Sequence, residues 1–130
     1  MPAIVYFSIT GQTKRFVTKI PNAEVIEIEP QDPFIEMDRT YILVVPTYVE
    51  EMIEPVLDFL ETGKNSEYCL GTFGSGNRNF AQLFCFTVDE IDKKYGIPVL
   101  HKFEFQGTPA DIKKIGEVLG NENRKDRSTV

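Results

Sequence analysis

Three short polar segments of the chain carry residue types that often hold a ligand. The first, residues 8–13 (SITGQT), offers three hydroxyl groups, one glycine and one glutamine directly after an apolar run. If a helix begins there, its first backbone N–H groups are free to bind an anion. The segment lacks the lysine of an NTPase P-loop and the repeated glycines of a dinucleotide fingerprint. It therefore suits a phosphate monoester that is bound and not transferred, or it is only a helix start capped by Thr10 or Thr13.

The other two segments suit a planar ring. Residues 46–51 (PTYVEE) include Tyr48, which offers an aromatic face. Residues 74–80 (GSGNRNF) contain two glycines, which let a ligand approach the backbone, while Asn77 and Asn79 offer amide donors and acceptors to the edge of a heterocycle. Taken separately, the first of these segments is equally well a solvated turn, and the second a helix start with one capping residue.

The remaining reactive residue types favour structural roles. Cys69 and Cys85 lie inside apolar runs at a spacing that matches no common zinc or redox motif, so we expect buried, inert thiols. The single histidine, His101, lies in a strand-like run. No nucleophile–base or acid–base pair stands out, so we expect neither a catalytic side chain nor a metal site. Such a pattern is typical of chemistry carried by a bound cofactor.

The length and charge of the chain limit its class. With 130 residues it is the size of one domain, and its net charge of −6 argues against non-specific binding to nucleic acid or anionic membranes. No apolar run approaches the ~18 residues of a membrane span, and no signal-type segment opens the chain, so we expect a cytoplasmic protein. We expect one domain over residues 1–119 and a disordered tail over residues 120–130 (GNENRKDRSTV), which are almost entirely polar.

Strands and helices alternate along the chain. The predicted strands are residues 3–8, 24–28, 41–45, 68–73 and 98–105, and the predicted helices are residues 13–20, 54–61, 79–95 and 108–119. Continuous apolar runs mark strands buried on both faces, which is typical of a parallel sheet covered by helices. Between the second and third strands only a loop is available, at residues 30–38, which contain two prolines.

This alternation predicts an α/β, flavodoxin-like three-layer sandwich with a five-stranded parallel sheet of order 2-1-3-4-5. In such a sheet, ligands bind beyond the carboxyl ends of the strands, where the strand order reverses. The three polar segments follow the first, third and fourth strands, so they should meet at that edge. A phosphate on the first segment and a ring between the other two is the arrangement expected for flavin mononucleotide (FMN).

The same residues resemble the NrdI family, small flavodoxin-like proteins that assist class Ib ribonucleotide reductase. The most specific match is GSGNRNF at residues 74–80, where ordinary flavodoxins carry an acidic residue soon after the glycines. Supporting matches are GQT followed by RFV within residues 11–17, PTY at residues 46–48 and KFEFQGT at residues 102–108. The resemblance spans nearly all of residues 3–118.

The resemblance implies bound FMN and a redox accessory role. Members reduce O2 to superoxide or peroxide, or pass electrons, to activate the radical-bearing small subunit of the reductase at a dimanganese centre, and a separate electron donor reduces the flavin. The implied cofactor-binding residues are Ser8, Ile9, Thr10, Gly11, Gln12, Thr13, Thr47, Tyr48, Val49, Glu50, Gly74, Ser75, Gly76, Asn77, Asn79 and Phe80. The alternatives are a generic flavodoxin-type electron carrier and a flavin-free binding module on the same fold.

One segment departs from the family pattern. Members often carry a glycine-rich loop after PTY, whereas this chain has Val49, Glu50 and Glu51. Carboxylates near the ring would disfavour an anionic reduced flavin and lower its reduction potential. We therefore expect this acidic loop to favour direct reaction with O2, and we expect it to form the partner-docking rim together with Arg78.

Overall fold

Five parallel strands form the centre of the molecule. The computed structural model describes residues 2–79 and 84–128, with side chains as far as residue 121. The strands are β1 (Ala3–Tyr6), β2 (Val25–Glu27), β3 (Tyr41–Val45), β4 (Cys69–Gly76) and β5 (Val99–Glu104). They form one sheet in the order β2-β1-β3-β4-β5, with every pair parallel. This confirms the predicted fold and strand order.

Helices cover both faces of this sheet. They are α1 (Gln12–Thr18), α2 (Glu50–Leu60), α3 (Asn65–Tyr68), α4 (Phe86–Tyr95) and α5 (Pro109–Ser128). One apolar cluster joins α2 and α4 to the sheet, and a second joins α1 and α5 to the opposite face. Every residue of β1 and of β3 is buried, because alternate side chains of each strand enter opposite clusters. The three-layer arrangement is therefore the one that the apolar runs predicted.

The short helix α3 was not predicted, and it holds the long connection between β2 and β3 in place. Asn65 is fully buried, and its side-chain amide donates to the carbonyl oxygens of Ile35 (2.7 Å) and Phe59 (2.8 Å). Its Oδ1 accepts from the backbone N–H of Met37 at 2.7 Å. The side chain of Asn65 thereby fixes the connection between β2 and β3, which contains no helix, to the end of α2.

Two predicted helix starts were wrong. Helix α2 begins at Glu50, four residues earlier than predicted, so Pro55 lies inside the helix. Two acidic residues in the first turn favour this start because the helix dipole is positive there. Helix α4 begins at Phe86, because Cys85 adopts a left-handed backbone conformation (φ 56°) that a continuous helix from residue 79 could not contain.

The C-terminal helix also differs from its predicted bounds. Its start is as expected: Thr108 and Asp111 form a capping box, in which Asp111 Oδ2 accepts from the Thr108 N–H at 2.8 Å. Asp111 Oδ1 also lies 2.7 Å from His101 Nε2, which gives that histidine a structural partner. The helix continues to Ser128 and not only to residue 119, since the added segment has no proline and several good helix formers. The boundary between domain and tail stays a prediction.

Among the residues that the structure describes, no helix has both the length and the apolar character needed to cross a membrane.

A buried hydroxyl in β4 offers a test of the packing. Among the described side chains, Thr72 Oγ1 is the buried polar atom without a hydrogen-bond partner, and Thr72 is fully buried. We predict that Thr72→Val raises the free energy of unfolding by about 1 kcal/mol, because it replaces an unpaired polar group with a methyl group of similar size. The measurement is urea unfolding followed by circular dichroism.

The matched control is Thr87→Val, since the buried Thr87 hydroxyl does have partners, at 3.3 Å from Tyr48 N and 3.4 Å from Tyr48 O. That variant should lower the free energy of unfolding by about 1–2 kcal/mol. Destabilisation of Thr72→Val by a similar amount would contradict the assignment of an unpaired hydroxyl.

Candidate functional site

A cleft of about 470 Å³ opens at the carboxyl edge of the sheet. This volume is within the usual range for small-ligand sites. Its lining residues are Gln12, Pro46, Thr47, Tyr48, Val49, Met52, Ser75, Gly76, Asn77, Phe86 and Phe105. All three polar segments therefore contribute to one cleft, as the strand order predicted.

The turn from β1 into α1 leaves backbone donors free. Ser8 Oγ accepts from the N–H groups of Gly11 (3.1 Å) and Lys14 (3.4 Å), and Gly11 has a left-handed conformation with φ 91°. Within the described part of the chain, the N–H groups of Gln12 and Thr13 have no acceptor. The N-cap residue of α1 is Gly11, and no side chain of an N-cap residue bonds to the helix start. The alternative prediction, in which Thr10 or Thr13 caps the helix, was therefore wrong.

The loop after β3 is held by hydrogen bonds to its neighbours. Thr47 Oγ1 donates to the Ser75 carbonyl oxygen at 2.7 Å, which ties the loop to β4. The Tyr48 N–H donates to Thr87 Oγ1 at 3.3 Å, which ties it to α4. Since the Thr47 hydroxyl is already engaged, we infer that Thr47 positions the loop. Tyr48 is half-buried at the wall of the cleft.

The third segment begins in a strand. The predicted strand ended at residue 73, whereas β4 continues to Gly76. Gly74, Ser75 and Gly76 are the last residues of β4, and Ser75 is buried. A Cβ atom added at Gly74 would lie 2.7 Å from Val88 Cγ2, so α4 rests directly on the strand. This close approach needs glycine, and it brings the first turn of α4 to the cleft.

Beyond β4 the polar side chains make mostly local contacts. Asn77 Oδ1 accepts from the Asn79 N–H at 2.9 Å, in an exposed turn. Arg78 Nε lies 3.1 Å from Glu104 Oε1, and its guanidinium carbon is 4.8 Å from the centre of the Phe84 ring. The Arg78 side chain is still 63% exposed, so it remains available at the rim.

The cleft is lined by uncharged residues. Within the described chain, no Asp, Glu, Lys or Arg side chain contributes to its lining. Glu50 lines a neighbouring groove of about 430 Å³ between α2 and α4, and Glu51 lies on a third, acidic groove with Glu54. The acidic residues expected in a loop over the ligand are thus in the first turn of α2, outside the cleft.

The two thiols are buried, as predicted, and burial disfavours their ionisation. Desolvation raises the pKa of Cys69 to about 12 and that of Cys85 to about 11. Cys85 Sγ lies 3.3 Å from the Gly74 carbonyl oxygen, so it supports the floor of the site. A thiol held protonated in this way is a poor nucleophile.

Comparison with known proteins decides the family. The family model described as NrdI flavodoxin-like matches residues 4–117. The chain belongs to the NrdI flavodoxin-like family. Its relatives include Protein NrdI of Mycoplasma capricolum, 38% identical with 96% of this chain and 88% of the relative covered. A putative NrdI-like protein of Streptococcus pneumoniae is 34% identical, with 92% of both chains covered.

Solved structures support the fold of this NrdI-family chain. A flavodoxin of S. pneumoniae TIGR4 is similar with a TM-score of 0.55 and 24% identity, covering 89% of this chain and 92% of that one. A short-chain flavodoxin associated with a bacterial microcompartment has a TM-score of 0.61 and 21% identity, covering 89% and 91%. At these identities the likeness concerns the fold.

The predicted site residues of this NrdI-family chain fall into three groups. Those that line the cleft are Gln12, Thr47, Tyr48, Val49, Ser75, Gly76 and Asn77. Those next to it, in the turn into α1 and at the end of β4, are Ser8, Ile9, Thr10, Gly11, Thr13 and Gly74. Glu50 lines the neighbouring groove, Asn79 is not among the lining residues of the cleft, and Phe80 lies outside the described residues.

Four lining residues were missed: Pro46, Met52, Phe86 and Phe105. Pro46 directly follows a predicted strand and Phe105 ends another, so both positions lie where the predicted sheet edge could have indicated them. Met52 and Phe86 lie in the first turns of α2 and α4, whose starts were misplaced.

The close approach at Gly74 gives a prediction. Gly74→Ala should lower the free energy of unfolding by about 1–3 kcal/mol, because the new methyl group collides with Val88. The matched control is Gly116→Ala in α5, where an added Cβ meets no atom within 4 Å, and it should raise stability by about 0.5–1 kcal/mol. Urea unfolding measures both, and an equal effect of the two substitutions would refute the close-packing argument.

Proposed function

We propose that this protein binds FMN in the cleft and acts in the cytoplasm as a redox accessory protein of a class I ribonucleotide reductase. In this role it reduces O2 to superoxide or peroxide, or passes electrons, to activate the radical-bearing small subunit. The observation that carries the proposal is the meeting of the three polar segments around one uncharged cleft, beside unpaired N–H groups. Membership of the NrdI flavodoxin-like family supports the partner.

The donor set of the site fits the phosphate of FMN. The N–H groups of Gln12 and Thr13 lack an acceptor among the described residues, and the exposed Thr10 adds a hydroxyl nearby. The left-handed Gly11 leaves open space where a side chain would begin, since an added Cβ there meets no atom within 4 Å. Unpaired N–H groups with hydroxyl neighbours bind an anion without a lysine.

The rest of the cleft fits the flavin ring. Tyr48, Val49 and Phe86 offer apolar surface, while the Asn77 amide and the Gly76 backbone offer donors and acceptors to a ring edge. The fit combines a mainly apolar cavity with a few polar groups that fix orientation.

When bound, FMN supplies the electron transfer, including transfer to O2. The chain contributes binding and surroundings. The described residues that line the cleft are uncharged. Thr47 and Thr87 hold the loop that carries Tyr48 through hydrogen bonds. Val49, with φ −61° and ψ 154°, is extended, and as a β-branched residue it resists the positive φ that a glycine at this position could adopt.

The exposed rim of the cleft is the proposed docking face for the small subunit. Val49 is 58% exposed and Met52 is 43% exposed, and both lie at the mouth of the cleft. The side chain of Arg78 adds a charge nearby, paired with Glu104. Apolar groups surrounded by polar ones are typical of a protein interface.

The proposal is tested by activation of the small subunit. The purified protein is loaded with FMN, reduced anaerobically and mixed with an O2 pulse, with and without the manganese-loaded small subunit. We expect rapid flavin reoxidation in both cases, and a tyrosyl radical detected by electron paramagnetic resonance only when both proteins are present. Arg78→Ala, at an exposed rim residue outside the cleft lining, should reduce radical yield while leaving FMN binding intact.

Two outcomes separate this proposal from a generic electron carrier. Radical formation that is equally efficient with an unrelated flavodoxin would favour the carrier. Flavin reoxidation without any radical, and no association with the small subunit in a pull-down, would contradict the proposed partner.

The placement of the acidic residues makes a prediction about reduction potentials. A carboxylate ~8 Å from the ring, at an effective dielectric of ~20–40, is worth about 1–2 kcal/mol, or tens of millivolts per electron. Met52→Glu puts such a charge on the cleft lining and should lower the flavin potential by this amount. Glu50→Gln and Glu51→Gln remove exposed charges outside the cleft, so solvent screening should keep their shifts smaller. The placement would be contradicted if potentiometry showed a larger shift in flavin potential for Glu50→Gln or Glu51→Gln than for Met52→Glu.

A further inference from the structure

Phe105 has a backbone conformation that a bulky residue rarely adopts. Its φ is 53°, in the left-handed region that favours glycine and asparagine. The side chain is nevertheless 45% exposed and lines the cleft. The strained backbone therefore does not bury an apolar ring. Residues held in this way cluster at active sites, ligand clamps and switch regions.

The turn that carries Phe105 is fixed from several sides. The Phe105 N–H donates to the Gly76 carbonyl oxygen at 3.2 Å, which continues the pairing of β4 with β5. The Gly107 N–H closes the turn by donating to the Glu104 carbonyl oxygen at 2.9 Å. An added Cβ at Gly107, whose φ is 77°, would lie 2.6 Å from Phe16 Cδ1. The surrounding structure thus imposes the left-handed conformation.

The neighbours of the turn are rigid as well. The Phe16 ring stacks on Phe103, with 4.2 Å between ring centroids and 24° between their planes. Both rings are fully buried, so the turn rests on a packed aromatic pair between α1 and β5. The backbone that carries the exposed Phe105 ring is consequently held in a preset position beside the cleft.

We propose that the β5–α5 turn is a fourth wall of the cofactor site and that Phe105 is a binding residue for a planar aromatic ring. The inference rests on the proposed function, in which that ring is the flavin. Phe105 lies in none of the three segments singled out as ligand-binding. An aromatic side chain at the cleft gains contact with a ring by stacking or edge contact, and a preset position reduces the ordering cost of binding.

The test compares FMN affinity with stability for variants of the apoprotein. Affinity is measured by titration with FMN, following the quenching of flavin fluorescence, and stability by the urea midpoint. Phe105→Ala and Phe105→Asn should both weaken binding by about tenfold or more, equivalent to about 1.4 kcal/mol. Phe105→Tyr should stay within about threefold of the unchanged protein, because it retains the aromatic ring. Riboflavin should show the same fold-change as FMN, because Phe105 contacts the ring.

The two truncated variants separate binding from folding. Asparagine tolerates the left-handed region and alanine does not, so Phe105→Asn should have the higher urea midpoint although both lose the ring. The matched control is Phe34→Ala: Phe34 is 60% exposed and lies outside the cleft lining, so its loss should leave FMN affinity unchanged.

The outcomes distinguish this inference from the proposed function. If the unchanged protein binds FMN and Phe105→Ala or Phe105→Asn binds within about twofold of it, the role of Phe105 is refuted while the function stands. An equal loss in Phe34→Ala also refutes it. If the unchanged protein does not bind FMN, the proposed function fails, and the inference fails with it.

Discussion

The parallel direction of all five strands is the constraint on which the site depends. Parallel pairing brings the carboxyl ends of β1, β3, β4 and β5 to one edge, so four separate connections meet around a single cleft. The sheet can hold this arrangement because both of its faces are covered by helices, with fully buried strands at its centre. Each connection is then free to be polar, since the apolar packing lies below it.

The charged side chains of the described chain lie outside the cleft. Its lining is uncharged in the described chain, while the acidic residues that follow Tyr48 occupy the first turn of α2, where the helix dipole favours them. The N–H groups of Gln12 and Thr13, which have no acceptor among the described residues, lie at the start of α1. A ligand with an anionic end and an apolar planar end matches this division. In the proposed function, the protein influences the chemistry of the cofactor through orientation and local electrostatics.

The fold and much of the site could be predicted from the sequence because their signals are local. Continuous apolar runs marked β1 and β3, and the glycines and amides of residues 74–80 marked one side of the cleft. The start of α4 could not be predicted, since the left-handed backbone of Cys85 goes with tertiary contacts of its thiol to Gly74 and Phe103. Phe105 ends a predicted strand, but its left-handed conformation could not be predicted, because it is set by a turn packed against α1. The start of α2 was misplaced because proline is usual in the first turn of a helix, whereas Pro55 lies in the interior of this one.

We propose that the cleft and the turn into α1 together bind FMN, with the ring in the cleft and the phosphate at the turn. Isothermal titration of the apoprotein with FMN and with riboflavin tests it most directly, because the two ligands differ only in the phosphate. We expect one FMN per chain and an affinity for FMN at least about tenfold above that for riboflavin, because hydrogen bonds to a charged group contribute about 1.5–3 kcal/mol. Equal affinities for the two ligands, or no binding of FMN, would contradict it.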